Sequence, residues 1–467
     1  MIYMKEINWS PKKAEVLYEA DVMVVGGGTA GVIAAIAAAE MGVSVLLVEQ
    51  YGGLGGTETM GLVTPVMPEG APSGNAESAI SKEIRKRLTA KGFAHKFDGN
   101  YSSWFDTEML KVELEEMVHE AGVHVLYDTR MVDVVMDGQA VAGVVLHNKG
   151  GLFIASAKQY IDCTGDGDLS VMAGASYQCG GPNGRNQSVS LRYEMSGVDL
   201  EKFGKWLEEG GQDDGWTKPP LISTYRGGPF NKACQYFEDA IDTAIANGDV
   251  TEDDMHYVQM FTMPGSPSAM NFNCPELGNS ENVLDPEFIN DRLFEGKRSI
   301  VRCAAFYKKY VPGFENSHVS KIAPMLGVRE SRRIDTEYLL VIDDIFAYRK
   351  FEDGISISDY KIDVHGNTKF AALKGKEYDH SLPREEWYFT MPYRSLVVKD
   401  IDNLFVAGRC AGADFFAQSA IRVQHMCRYM GEAAGIGAAM AVEAGITAKE
   451  VDGAEVRAQM VALGADL

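Results

Sequence analysis

The sequence has few cysteines and no cysteine motif. Its seven cysteines stand at positions 163, 179, 234, 274, 303, 410 and 427, and no pair of them has CxxC spacing. Zinc ribbons and ferredoxin-type iron–sulfur sites use that spacing, so the sequence argues against both and we predict no metal site. An odd number of widely spaced cysteines favours buried, reduced thiols in a reducing compartment.

Positive charge is also scarce. Lys and Arg number 44 against 66 Asp and Glu, which gives a formal net charge of −22 at pH 7. This balance argues against binding to nucleic acid phosphates or docking on anionic lipid. Residues 1–16 lack the apolar core of a signal peptide, and the most apolar stretch of the chain is interrupted by glycines. We therefore expect a cytoplasmic protein with a small-molecule substrate and without a nucleic acid or membrane partner; the sequence leaves a homo-oligomer open.

Glycine, by contrast, is concentrated where two predicted strands meet a helix. The apolar strand at residues 22–25 runs into a turn that contains Gly26, Gly28 and Gly31. A small-residue helix follows, and a second strand ends on Glu49. In such a unit the glycines permit a tight turn, approach of a pyrophosphate to the backbone, and close contact between helix and sheet. The helix N-terminus offers N–H groups to phosphates, and Glu49 can accept hydrogen bonds from ribose hydroxyls. The sequence therefore predicts a dinucleotide site, although the motif alone does not separate FAD from NAD.

Three further segments repeat this combination of apolar strand and glycine turn. A second glycine run occupies residues 51–57, an apolar strand ends in a turn at residues 164–166, and the strand at residues 404–407 leads into Gly408 and Arg409. A long small-residue helix is predicted after that last turn, at residues 419–443. A second glycine run is expected if the backbone passes closely along a ligand longer than NAD.

The 467 residues divide by pattern into three stretches. Residues 1–175 and 395–467 carry the strand, glycine turn and helix pattern, whereas residues 176–394 are rich in aromatics, Asp, Pro and irregular loops. We predict an α/β fold in which a Rossmann-like nucleotide-binding domain is formed by the first and last stretches. The middle stretch is predicted to be an inserted α+β substrate domain. Periodicity further predicts helices at 76–92, 105–120, 230–247 and 286–310, and a hairpin that turns at Asp137 and Gly138.

Taken together, these segments resemble the FAD-dependent oxidoreductase family, whose relatives include the heterodisulfide reductase A-like flavoproteins. More distantly they resemble glutathione-reductase-type and fumarate-reductase-type flavoproteins, so a glutathione-reductase-type FAD domain is implied. The stretches that carry the resemblance are VVGGGTAGVIAAIAAAEMG, EQYGGLGGT, IDCTGDGDLSVMAGA, LGVRESRRIDTEYLL, YKIDVHG, YFTMPYRSLV and NLFVAGRCAGADFFAQSAIRVQHMCRYMGEAAGIGAAMA. The chain departs from some relatives because it lacks their iron–sulfur cysteine motif. No histidine precedes His95, so the covalent attachment of FAD seen in fumarate-reductase-type relatives is not expected.

The resemblance implies FAD contacts for residues in each glycine-rich segment. The first segments supply pyrophosphate and ribose contacts, the start of a later strand borders the adenine, and the last turns approach the pyrophosphate and ribityl chain. A helix that begins near Ser419 and Arg422 is expected to direct its N-terminus at the flavin, where a partial positive charge stabilises the anionic reduced ring. The implied contacts are Gly26, Gly28, Thr29, Ala30, Gly31, Glu49, Gln50, Gly56, Thr57, Arg130, Met131, Val132, Thr164, Gly165, Asp166, Gly408, Arg409, Ser419 and Arg422.

The middle stretch contains the candidate catalytic groups. Asp363 and His365 alternate, so on a strand they share a face and Asp363 could orient His365 as a proton acceptor. Arg329 and Arg332 could bind a substrate carboxylate, and Tyr393 lies where the chain returns to the nucleotide-binding domain. Each has a plain structural alternative: a histidine that hydrogen-bonds a loop, an ion-pair cluster of the arginines with Glu330 that ties the insertion to the nucleotide-binding domain, and a packed tyrosine.

Other polar residues form weaker patterns. Asn271 and Asn273 alternate along a predicted strand and could hydrogen-bond a polar substrate, and His425 lies one helical turn after Arg422. His425 is interpreted as either a residue near the flavin edge or a core histidine.

The residues therefore support three hypotheses about function. The first is a dehydrogenase that transfers hydride from a small polar hydroxy or amino compound to FAD, with His365 as base. The second is a reductase of a carboxylate-activated C=C bond that uses an arginine of the 329–333 segment. The third is an electron-transfer subunit, which the missing iron–sulfur ligands disfavour.

Overall fold

The computed structural model describes residues 15–67, 76–96, 103–212, 215–226, 234–366, 373 and 377–467. The first part of the chain forms β1 (Val16–Val25), α1 (Thr29–Glu40), β2 (Val45–Val48), β3 (Pro65–Val66), α2 (Ala79–Ala90), β4 (Ala94–Lys96), β5 (Ser103–Phe105), α3 (Thr107–Glu120), β6 (His124–Leu126), β7 (Arg130–Asp137), β8 (Ala140–Asn148), β9 (Gly151–Asp162) and α4 (Asp168–Met172). The middle part forms β10 (Tyr177–Cys179), β11 (Tyr193–Ser196), α5 (Leu200–Glu209), β12 (Thr217–Lys218), β13 (Leu221–Arg226), α6 (Gln235–Ala246), α7 (Glu252–Met255), β14 (Val258–Met263), β15 (Ser266–Phe272), α8 (Pro286–Tyr310), β16 (His318–Ile322), β17 (Arg332–Ile334) and α9 (Ile342–Phe346). The last part forms β18 (Leu404–Val406), α10 (Phe415–Ile421), α11 (Gln424–Ala444) and α12 (Gly453–Leu463).

A parallel sheet with the strand order β6-β2-β1-β9-β18 organises the first and last parts of the chain. Residues 22–25 of β1, all of β2 and all of β18 are apolar and buried, because a parallel sheet covered on both faces buries successive side chains. Val24 of β1, for example, lies opposite Leu47 on one side and Ile161 on the other. β18 comes from the last part of the chain and pairs with β9, with Phe405 opposite Ile161. The predicted α/β fold is confirmed, and its sheet is parallel in this part of the molecule.

An antiparallel hairpin extends this sheet. β7 and β8 pair with each other, and the first half of β9 pairs with β8. Gly138 adopts a φ of 62° in the turn, a conformation that glycine reaches without steric cost. The predicted hairpin at Asp137 and Gly138 is therefore present, and the residue before β7, Thr129, donates its backbone N–H to Glu49 just after β2.

Helices α1 and α11 pack closely together on one face of the parallel sheet. A Cβ atom at Gly431 would overlap the carbonyl oxygen of Ala30, and one at Gly435 would overlap that of Ala34. These two glycines are one helical turn apart, so they form a shallow surface against which α1 fits. The helix predicted at 419–443 is in fact two helices, because the chain leaves the helical path at Val423.

The middle part of the chain contains a six-stranded antiparallel sheet of order β12-β13-β14-β15-β11-β16. Helices α6 and α8 form where helices were predicted, and with α5 they cover one face of this sheet. Successive side chains of a strand point to opposite faces, so the other face carries the alternate residues. We call this second face the polar face and define it by Ser190, Arg192, Glu194, Asn271 and Asn273.

The boundaries predicted at 176 and 394 remain a prediction. Buried side chains of the six-stranded sheet form a core of their own with α5, α6 and α8. Buried residues between Leu340 and Leu396, however, belong to the core that α1 and α11 share. The last part of the middle stretch therefore packs with the nucleotide-binding domain.

Three further findings concern membrane spans, thiols and metal ions. Among the helices in the described part of the chain, none combines the length and apolar character that a bilayer span requires. All seven cysteines are free, and six of them are buried as expected, whereas Cys179 is exposed. Within the described ranges no group of three or more His, Cys, Asp or Glu residues could hold a metal ion.

Candidate functional site

The turn between β1 and α1 depends on its glycines. Gly26 has a φ of 99°, and a Cβ atom there would overlap the carbonyl oxygen of Cys163. A Cβ atom at Gly31 would overlap the carbonyl oxygen of Gly26. Position 28 is different, since the nearest atom to a Cβ there would be the Cα of Gly56 at 3.9 Å. No side chain in the described part of the chain caps α1, so its first N–H groups face an open space beside Gly28.

Glu49 closes one side of this space. Its Oε2 accepts a hydrogen bond from the backbone N–H of Gly27 at 2.7 Å, and its Oε1 accepts one from Tyr51 at 2.8 Å. Burial raises the pKa of Glu49 above its ordinary value, against the effect of these N–H donors. Each carboxylate oxygen can accept a further hydrogen bond. Glu49 is therefore positioned by the backbone and keeps the capacity to bind two hydroxyls, and Gln50 is exposed beside it.

The second glycine run faces the first. The backbone N–H of Gly55 donates to the carbonyl oxygen of Gly27 at 2.8 Å. A Cβ atom at Gly56 would lie 2.8 Å from the Cα of Gly28. The hydroxyls of Thr29 and Thr57 are 3.4 Å apart. Both predicted glycine runs therefore line the same space at the start of α1.

The start of β7 lies next to Glu49. The backbone N–H of Thr129 donates to the carbonyl oxygen of Glu49 at 3.0 Å, and Arg130 follows as an exposed residue. The side chains of Met131 and Val132 are half-buried and exposed, respectively. The segment expected to border the adenine is thus adjacent to the carboxylate expected to bind the ribose.

Two later turns meet on the other side of α1. The guanidinium of Arg409 forms an ion pair with Asp166 at 2.7 Å and donates to the hydroxyl of Ser331 at 2.9 Å. Burial would raise the pKa of Asp166, but Arg409 and Ser331 hold it below its ordinary value. Thr164 is fixed by its hydroxyl, which donates to Asp162 at 2.8 Å. A Cβ atom at Gly165 would lie 3.0 Å from Arg409, and one at Gly408 would lie 3.4 Å from the Cβ of Ala30.

Ser419 and Arg422 lie at the end of α10 and contact the segment around His365. The Oγ of Ser419 accepts a hydrogen bond from the backbone N–H of Asp363 at 3.1 Å. Arg422 donates to the carbonyl oxygen of Asp363 at 2.8 Å and pairs with its carboxylate at 3.1 Å. The helix that follows begins at Gln424, so the expected helix N-terminus lies just after Arg422, and its approach to the flavin stays a prediction. In the structure these two side chains position Asp363.

His365 lies between two carboxylates. Its Nε2 is 3.3 Å from Oδ1 of Asp363, and its Nδ1 is 3.7 Å from Oε2 of Glu276. The ring of Tyr257 meets the histidine ring edge-on, with centroids 5.4 Å apart. Burial opposes ionisation of both carboxyls, yet the hydrogen bond with His365 and the charge of Arg422 hold the pKa of Asp363 well below its ordinary value. His256 and His365 do the same for the pKa of Glu276.

Two arginines belong to the same cluster, of which Arg192 is buried and Arg329 half-buried. Arg329 donates from Nη1 to the carbonyl oxygen of Ser188 at 2.7 Å. Arg192 was not among the predicted residues; it lies on the polar face and donates from Nη1 to the carbonyl oxygen of Leu62 at 3.3 Å. Burial lowers the pKa of Arg192 to about 9. The alternation of apolar and polar residues in SVSLRYE, at 188–194, is a signal that could have identified it.

Two of the predicted catalytic residues are located elsewhere. Arg332 donates to the carbonyl oxygen of Asp166 at 2.7 Å and forms an ion pair with Asp168. Tyr393 is fully buried and packs in the core beside Gly437 and Gly453. Arg332 therefore ties β17 to the turn after β9, and the structure does not bring Tyr393 to His365.

The remaining polar residues divide between the sheet and the core. Asn273 donates to Tyr257 at 3.2 Å and to Gln259 at 2.9 Å, which places it near His365. Asn271 is fully buried on the polar face, and its amide has no hydrogen-bond partner among the described residues. His425 is buried in α11, and burial lowers its pKa to about 3. His425 is thus a neutral core residue near neutral pH.

The whole arrangement has one glycine-lined space at α1 and one charged cluster around His365. Gln418 links them, because its amide donates both to the carbonyl oxygen of Arg409 at 3.2 Å and to that of Arg329 at 3.1 Å.

A sequence model of the FAD dependent oxidoreductase family matches residues 21–460. The chain belongs to this FAD-dependent oxidoreductase family. It is therefore an enzyme, and its cofactor is FAD.

Individual relatives of this FAD-dependent oxidoreductase match smaller parts of it. Thiamine thiazole synthases of Methanococcus aeolicus and Methanococcus vannielii are 31% and 29% identical over 162 and 167 residues. These segments cover 33% and 34% of this chain and 57% and 60% of the relatives, so the chain spans little more than half of their length.

Solved structures match over a longer span at lower identity. A geranylgeranyl bacteriochlorophyll reductase-like protein from Thermoplasma acidophilum is 14% identical and has a TM-score of 0.45, with 96% of this chain and 83% of that chain covered. A flavin-dependent brominase is 13% identical and has a TM-score of 0.46, with 95% and 84% covered.

Proposed function

We propose that this oxidoreductase oxidises a small polar hydroxy or amino compound, with hydride transfer to non-covalently bound FAD and with His365 as the base. The observation that carries the proposal is the position of His365 between Asp363 and Glu276. FAD supplies the hydride acceptor. The chain must then supply a proton acceptor and hold the substrate. The proton acceptor must be a side chain with a free lone pair, and we assign that role to a ring nitrogen of His365.

The glycine-lined space has the features that FAD requires. Room beside Gly28 and the uncapped N-terminus of α1 suit a pyrophosphate. Glu49 would bind the adenosine ribose, and the start of β7 would border the adenine. The turns at residues 56–57, 164–166 and 408–409 would contact the rest of the dinucleotide. The parallel sheet with its β7–β8 hairpin supports our assignment of the domain to the glutathione-reductase type; kinship with the heterodisulfide reductase A-like branch stays a prediction.

The two carboxylates give the nitrogens of His365 different roles. Asp363 is the closer partner and is itself fixed by Ser419 and Arg422, so it would accept the Nε2–H of a neutral ring. The lone pair is then on Nδ1, which faces the wider 3.7 Å separation from Glu276. A substrate hydroxyl or amine next to Nδ1 could pass its proton to this nitrogen as hydride leaves. Tyr257 would keep the ring in this orientation.

The test is anaerobic reduction of the FAD-loaded enzyme by a panel of small hydroxy and amino compounds. At least one compound should bleach the visible absorbance of the oxidised flavin. His365→Asn should slow that reduction by about 10²- to 10⁴-fold, the usual contribution of a general base, with FAD content unchanged. His147→Asn, at an exposed histidine of β8, is the matched control and should reduce at the normal rate.

Two outcomes would contradict the proposal in different ways. An unchanged rate in His365→Asn would reject this residue as base. If no hydroxy or amino compound reduces the flavin, but enoates reoxidise the dithionite-reduced enzyme, the protein is a reductase of activated C=C bonds.

A further inference from the structure

Arg192 is buried and Arg329 is half-buried in the cluster around His365, and neither forms an ion pair with a carboxylate in the described part of the chain. Glu276 and Asp363 act on Arg329 through their charges alone, without a hydrogen bond. The hydrogen bonds that the structure gives their guanidinium groups go to backbone carbonyl oxygens, those of Leu62 and Ser188. The nearby carboxylates are engaged elsewhere. Asp363 contacts His365 and Arg422, and Glu276 lies between His256 and His365.

A buried charge without a counter-charge is strongly unfavourable, so such groups are normally paired. A backbone carbonyl offers only a partial negative charge. Each guanidinium has five N–H donors, and only one hydrogen bond to a described residue is formed by Arg192 and one by Arg329. Several donors of each arginine therefore remain for an anionic group.

The charges around His365 leave one positive charge in excess. Arg192, Arg329 and Arg422 provide three positive charges, and Glu276 and Asp363 provide two negative ones. His365 is neutral when it acts as the base, and His256 lies toward solvent with 43% of its side chain exposed. One bound monoanion would neutralise this excess. A planar carboxylate matches both that charge and the geometry of guanidinium donors.

We propose that the substrate carries a carboxylate, and that Arg192 and Arg329 bind it while the group to be oxidised lies next to His365. This inference rests on the function proposed above and narrows its substrate class. It replaces the expectation that Arg332 takes part, since that side chain is paired with Asp168. Arg192 comes from the inserted sheet and Arg329 from the segment that returns toward the nucleotide-binding domain. The carboxylate would therefore be held between the two parts of the protein.

The test measures binding without turnover. The oxidised, FAD-loaded enzyme is titrated with acetate, propionate and benzoate, with the matched neutral amides, and with sulfate and phosphate, and the perturbation of the flavin spectrum is followed. Carboxylates should bind saturably and amides should not. Arg192→Gln and Arg329→Gln should each weaken carboxylate binding by about ten- to a hundredfold, the range expected for hydrogen bonds to a charged group. Arg298→Gln, at an exposed arginine of α8, should bind normally.

Further variants separate this inference from the proposed function and from loss of folding. Arg192→Lys keeps the charge and should retain intermediate affinity even if Arg192→Gln folds poorly. His365→Asn should lose flavin reduction and still bind carboxylates. The proposal is overturned if no carboxylate perturbs the flavin, if amides bind equally well, or if folded Arg192 and Arg329 variants bind like the wild type. Tighter binding of sulfate or phosphate than of every carboxylate would overturn the assignment to a carboxylate.

Discussion

The carboxylate of Glu49 accepts a hydrogen bond from the backbone N–H of Gly27 at 2.7 Å. This contact joins the end of β2 to the glycine turn after β1, so the groups expected at the ribose and at the pyrophosphate are fixed relative to each other. Tyr51 donates to the other carboxylate oxygen. The position of Glu49 is thus set by the backbone before FAD binds.

Replacement of Glu49 by Gln should weaken FAD binding by about tenfold or more, because an amide cannot accept from two N–H groups and two hydroxyls as a carboxylate does. The dissociation constant can be measured by titration of the apoprotein with FAD. Glu40→Gln, at the exposed end of α1, is the control and should bind FAD normally. Equal affinities for the wild type and Glu49→Gln would show that the ribose is bound elsewhere.

Alanine at Gly28 and alanine at Gly31 should have different effects. The Cβ atom at position 28 would meet only the Cα of Gly56 at 3.9 Å, whereas the Cβ at position 31 would overlap the carbonyl oxygen of Gly26. Gly28→Ala should therefore fold with a normal melting temperature and lose FAD affinity, since the methyl group would occupy space needed by the pyrophosphate. Gly31→Ala should melt at a lower temperature even without FAD. A Gly28→Ala variant that binds FAD normally would contradict this position for the pyrophosphate.

Arg428 and Glu58 form a buried ion pair between α11 and the segment after the second glycine run, with Nη2 and Oε1 2.9 Å apart. Glu58→Ala should lower the free energy of unfolding by about 3–5 kcal/mol, because it leaves the Arg428 guanidinium buried and unpaired. Glu83→Ala removes a partially exposed i,i+4 pair with Arg87 and should cost about 0.5 kcal/mol or less. Chemical denaturation of both variants measures the difference. Equal losses would mean that the buried pair contributes no more than a surface pair.

His425 should make the protein less stable as the pH falls below neutrality. Burial lowers its pKa from 6.5 to about 3, so between these values the unfolded chain binds a proton that the folded protein does not. Lowering the pH through this window therefore favours unfolding, by about 1.4 kcal/mol per pH unit at most for one proton. In His425→Gln the slope of the unfolding free energy against pH should decrease by the contribution of about one bound proton. Exposed His147→Gln should leave that dependence unchanged. The same slope in wild type and His425→Gln would show that His425 is already protonated in the fold.

The sequence predicts one helix at 419–443, whereas the structure has two helices in this region. The segment has no proline, and its glycines occur well after the break, so no local signal interrupts it. In the structure α10 ends before Arg422, and α11 begins after Val423. Arg422 contacts Asp363, a residue 59 positions away in the chain. The break is thus coupled to a long-range contact that helical periodicity cannot report.

By itself, the sequence determined the glycine turn at which the cofactor is expected to bind. The spacing of Gly26, Gly28 and Gly31 before a helix, with Glu49 at the end of the next strand, is a local pattern in which each residue type has one steric or hydrogen-bonding purpose. Local constraints of this kind are readable without knowing the fold. Only the tertiary structure brought Arg192 beside Arg329 and His365, and only it separated Arg332 and Tyr393 from them. Arg192 is far from Arg329 and His365 in the chain, and whether an arginine meets a carboxylate or a carbonyl depends on how distant segments pack.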